Sequence, residues 1–146
     1  MAYTLSSRDI TATDGSPVNG TAISLPSIPQ SVVATHVVTT TGTPTTYDMR
    51  GAVEASVDGG TTWHQVMRFK DITNAAAASQ IIRGLGQTAI ASADIAASNL
   101  GNAAASAVVV DTPYPTMLRA VTKLQTLTGG TTPHILSSVV LEVGSG

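Results

Sequence analysis

The sequence predicts an all-β protein, an antiparallel β-sandwich or jelly roll carrying an Ala-rich irregular insert. Three observations point there. Residues 51–70 read as a β-hairpin. Runs rich in β-branched residues recur along the chain, bounded by Gly, Pro and Asp turn signals. Ser and Thr make up about a quarter of the 146 residues while charged residues are only 11%, against about 25% charged in an ordinary domain. Such a chain presents a neutral, hydroxylated, β-favouring surface.

Taken in order, AISLPSI (22–28) reads as a strand broken by Pro26 and Pro29, since proline removes a ladder donor. SVVATHVVTTT (31–41) is a long β-branched run. GAVEASV (51–57) alternates, with Val53, Ala55 and Val57 on one face. TTWHQVMRFK (61–70) places Trp63, Gln65, Met67 and Phe69 against His64, Val66, Arg68 and Lys70. Asp58-Gly59-Gly60 between them supplies positive φ, so this is a hairpin. SAVVVDT (106–112) is a short apolar run closed by Pro113 and Pro115. MLRAVTKLQTL (117–127) and HILSSVVLEV (134–143) flank the turn signal GGTTP (129–133) and read as a second hairpin. Six to eight short strands of this kind suggest a sandwich or jelly roll.

The length fits one domain, 1–146, large enough to bury a core without a staple. Residues 1–20 read as an extended N-terminal arm. Residues 74–107 are dominated by Ala and Ser, with Arg83 and Asp94 as their only charges. This stretch is either a long loop or contains a short helix near 92–99, with Ser92 as N-cap and Gly101 as the stop.

Composition narrows the chemistry. Without Cys there is no disulfide, thiolate metal site or thiol nucleophile. A net charge of -2, with seven basic residues scattered from Arg8 to Lys123, argues against nucleic acid as a partner. No apolar stretch reaches the length of a membrane span. MAYTLSSRDITATDG has neither the basic region nor the apolar core of a signal peptide. The sequon Asn19-Gly20-Thr21 therefore carries no meaning without a secretory route.

Candidate sites are few. His36, His64 and His134 fall in three separate strands, without ligand spacing, and His36 is the one expected to be buried among valines. GLGQTA (84–89) matches a loose dinucleotide loop but lacks the strand–helix context. Most carboxylates fall at turns, while Glu54 and Glu142 sit on strands and are expected to face solvent. No nucleophile elbow occurs. No catalytic, cofactor or metal residue is assigned, and the chain is expected not to be an enzyme. With five aromatics in all, the core must claim the large rings, so Trp63, Met67 and Phe69 are expected inside. Arg68 and Lys70 are expected to be solvated.

VDGGTTWHQV followed by Phe69, together with the closing MLRAVTKLQTLTGGTTPHILSSVVLEV, resembles the small β-sandwich proteins of tailed-phage structural modules. The resemblance covers about a third of the chain. It implies a capsid decoration (cement) protein on the outer surface of a phage head, stabilising the shell. It further implies the major capsid protein as partner, a homo-oligomer with a trimer favoured, no cofactor, and neither nucleic acid nor membrane as partner. Assembly would be in the host cytoplasm and the destination the virion exterior. Residues 1–20 and 74–107 would make the lattice contacts, and deleting 74–107 would spare the fold. The alternative is a carbohydrate-binding or adhesion module of a phage tail, which predicts an exposed aromatic patch around Trp63. A small hydrolase would instead show a perturbed carboxylate or His in a cleft.

Overall fold

A computed structural model describes residues 2–25, 31–73, 78–84, 100, 108–109 and 117–144, with the backbone alone described at 31, 78–84 and 108–109. Among these residues eleven strands occur: β1 Ala2–Ile10, β2 Val18–Asn19, β3 Ile23–Ser24, β4 Ser31–Thr41, β5 Thr46–Ser56, β6 His64–Arg68, β7 Ile72–Thr73, β8 Ala78–Gly84, β9 Val108–Val109, β10 Met117–Thr128 and β11 His134–Gly144. They form two antiparallel sheets. The smaller runs β1-β11-β4-β8; the larger runs β2-β10-β5-β6-β9, with β3 also on β10 and β7 on β5.

Alternation builds the core as the pleat requires. Val53 and Ala55 of β5 face inward beside Leu118 and Ala120 of β10 and Met67 of β6. Leu5, Val32, Ala34, Val139 and Leu141 of the smaller sheet meet them. Nearer the other end, Met49, Tyr47, Leu124 and Ile72 meet Ile10, Val38 and Ile135. His36 lies on β4 between Ala34 and Val38, and Gly51 lies on β5 between Met49 and Val53, so the two meet where the two halves of the core join.

The hairpin at 51–70 forms, with Ala55 paired to His64 and Ala52 to Arg68. The second expected hairpin does not. β10 pairs with β5 along its whole length, and β11 pairs with β1 and β4, so 129–133 is an arch that crosses from one sheet to the other. The turn signal was real, but both strands find longer partners elsewhere. A matching arch, 42–45, joins β4 to β5 at the same end. The two arches interlock: Thr131 N–H donates to the Gly42 carbonyl (3.0 Å), and Thr45 N–H donates to the Thr128 carbonyl (2.8 Å). Gly130 (φ 81°) runs so close that a Cβ there would lie 2.3 Å from the Gly42 oxygen.

The N-terminal arm expected at 1–20 is instead part of the sandwich. Residues 2–10 are strand β1, and Leu5 and Ile10 are core residues. Asp14 then clamps the return along β10. Its carboxylate accepts both Arg8 guanidinium nitrogens and the Leu124 N–H (2.7 Å), and its own N–H donates to the Leu124 carbonyl (2.9 Å). The strand expected at 22–28 is reduced to Ile23–Ser24. Within the Ala-rich stretch, 78–84 is strand β8, paired with β4. Deleting 74–107 would therefore remove a sheet strand, contrary to the expectation that it spares the fold. The possible helix at 92–99 lies outside the described residues.

Candidate interaction faces

The turn after β5 is held by its own side chains. The Ser56 hydroxyl donates to Asp58 Oδ1 (2.8 Å) and accepts from Gly60 N–H (2.8 Å). Asp58 also accepts the Thr62 N–H (2.9 Å) and the Thr62 hydroxyl (2.5 Å). These bonds, the Thr62 hydroxyl first, hold the Asp58 carboxyl down at about 2 from 3.8. Its contribution is complete above about pH 3.8 and is lost as pH falls towards 2. Asp58→Ala therefore lowers the melting temperature at pH 7, and the gap from the parent narrows in acid; a gap independent of pH would contradict this origin.

This loop answers where Trp63 goes. Opposite Val53 and Glu54 the β6 strand carries a bulge, so Val66 and Met67 both enter the core. The bulge shifts the alternation by one residue. Met67 and Phe69 are core residues as expected, but Trp63 is left half-buried outside it. Its indole N–H donates to the Gly60 carbonyl (3.0 Å), and the Arg119 guanidinium lies 4.3 Å from its ring centroid. Arg119 in turn pairs with Glu54 at 2.7 Å. One face of the ring is thus engaged by a cation.

Glu54 and Arg68, both expected in solvent, are buried. The outer face of β5 is covered, so both of its faces are interior. Leu100 covers it: its side chain packs on Ala52 and Val121, and its carbonyl accepts from Arg50 Nη1 (2.8 Å). Arg50 also pairs with Asp48 (2.7 Å) and Asp71 (3.4 Å), and Arg68 pairs with Asp71 (2.9 Å) while donating to the Gly51 and Phe69 carbonyls. Burial pulls the Arg68 guanidinium below its ordinary value, and Asp71 opposes that. Hydrogen-bonded and paired in this way, the charges act as structure.

The outer face of the smaller sheet has the opposite character. By register, Val33, Thr35, Val37 and Thr39 of β4 stand beside Glu142, Val140, Ser138 and Leu136 of β11. Thr4, Ser7 and Asp9 of β1 extend the same face. Leu136 is 38% exposed, and Val33, Val37 and Val140 are half-buried. The described charges, Asp9, Glu142 and His134, lie at its ends, and His134 pairs with Asp9 at 2.8 Å. With strands about 4.8 Å apart and about 3.3 Å per residue, four strands of this length span about 600 Å².

The three histidines stay apart: His36 between the sheets, His64 on β6, His134 at the start of β11. No group of three metal-ligating side chains occurs among the described residues, and no described helix is long and apolar enough to cross a membrane. Of GLGQTA, only Gly84, at the end of β8, is described. The face of the smaller sheet was missed because its strands were read one at a time. The signal was present as Val33, Thr35, Val37 and Thr39 at spacing two. Compared with models of protein families, with curated proteins and with solved structures, the chain shows no match.

Proposed function

We propose that the chain is a virion structural protein that docks on the outer surface of a phage head and stabilises the shell, using the outer face of its smaller sheet. The observation that carries this reading is that face: broad, uncharged through its centre among the described side chains, and studded with Val33, Val37, Leu136 and Val140 among hydroxyls. Its span approaches the roughly 800 Å² per partner of a standard protein interface. The half-buried valines would supply the apolar centre and the end charges the polar rim. The resemblance of 50–70 and 117–143 to phage structural modules names the partner class, the major capsid protein.

The test is Val37→Glu combined with Leu136→Glu. Both side chains point away from the core, so the variant folds with a parental melting profile. A charge in the centre of a desolvated interface costs several kcal/mol, and shell binding should fall by more than about 100-fold. Undiminished binding by a folded variant would remove this face from the account.

A further inference from the structure

His36 is fully buried between the sheets. Its Nε2 lies 2.9 Å from Ser137 Oγ, its ring is 5.3 Å from Phe69, and a Cβ on Gly51 would lie 2.8 Å from its Nδ1. Nδ1 has no hydrogen-bond partner. The assignment that suits this site is neutral imidazole, with Nε2–H donating to Ser137 and a bare Nδ1 facing Gly51. A bare acceptor against a glycine costs little. A proton on Nδ1 would create a buried donor with nothing to accept it, besides a buried charge.

The surrounding charges give no relief. From the larger sheet, Arg68 raises the local positive potential and is itself engaged with Asp71. From β1, Arg8 stands in register with Ser137 and is held by Asp14. On β11 the position in register is Val139 and the hydrogen-bond partner is Ser137, and on β8 the position in register is Gln80. Among the described residues, no carboxylate of these elements faces the ring.

We propose that His36 is an acid-sensitive latch: neutral, and tied to Ser137 within its own sheet, it lets the facing sheet close on it at Gly51, and protonated, it drives the two sheets apart. Burial first, and Arg68 second, lower its pKa from 6.5 to about 4. The unfolded chain therefore binds a proton below about pH 6.5 that the folded chain refuses until about pH 4, so stability falls with pH across that window and no further below it. Between pH 7 and pH 5 this group alone lowers the folded-to-unfolded ratio by about 20-fold.

The experiment is urea unfolding of the full chain at pH 7 and pH 5, at fixed ionic strength, beside His36→Gln. The parent should lose about 20-fold in the ratio and the variant only a small part of that; equal losses overturn the latch. Should the variant fail to fold, nitrogen-15 NMR of the parent histidines decides. A His36 ring that remains the neutral Nε2–H form in the folded protein at pH 5.5 supports the latch, and one already half-protonated near pH 6.5 overturns it.

Discussion

Gly51→Val is expected to destabilise the sandwich by about 3 kcal/mol, the upper range for overpacking a filled core. Gly51 has no unusual backbone angle to protect. What it provides is space. A Cβ would sit 2.8 Å from His36 Nδ1, 3.0 Å from Cε1 and 3.3 Å from Phe69 Cδ2. His36 cannot swing clear, because Ser137 holds its far nitrogen and the ring is enclosed on all sides. Judged by strand propensity alone, Gly→Val at a central strand position should stabilise, so the sign of the effect discriminates. Denaturant unfolding measures it. Combined with His36→Ala, the valine should cost much less, a coupling of about 1–3 kcal/mol in a double-mutant cycle. A neutral or stabilising single substitution would show that the sheets are not this close.

Asp71→Asn is expected to cost about 3 kcal/mol, the lower end for breaking a buried ion pair. Asp71 is the carboxylate shared by Arg50 and Arg68, and the side chains of all three are at least nine-tenths buried. Asparagine keeps the shape and removes the charge, so the loss reports electrostatics. Replacing the pair by apolar groups, Arg68→Met with Asp71→Leu, should cost less than Asp71→Asn alone. That ordering follows from desolvation, because a lone buried charge is worse than none. Equal costs would mean that the cluster is wetter than its burial implies.

Much of the fold was legible. Ser31–Thr41, the 51–70 hairpin, Met117–Thr128 and His134–Gly144 each carry enough β-branched or alternating residues to declare themselves. What was not legible is pairing. GGTTP marks a reversal whether the next strand lies in the same sheet or the opposite one, so an arch read as a hairpin. Trp63 was misplaced because one bulge at Val66 shifts the phase, and a bulge leaves no local mark beyond Val66 and Met67 both being apolar. Glu54 and Arg68 were misplaced for a tertiary reason. Alternation says which residues share a face, but not whether that face is covered: Leu100, far along the chain, packs on Ala52, Arg119 pairs with Glu54, and Asp71 pairs with Arg68. His36 was read as buried from its flanking valines. Its partners Ser137 and Gly51 emerge only when β4 lies between β11 and the facing sheet.

The proposed role of this sandwich is docking on a capsid shell by its smaller sheet. Its most direct test is co-sedimentation of the unmodified protein with empty shells assembled from the major capsid protein of the same virus, with the protein alone as reference. Saturable binding at a fixed ratio of chains per capsomer is the expected result. A protein that stays in the supernatant at every shell concentration would contradict it.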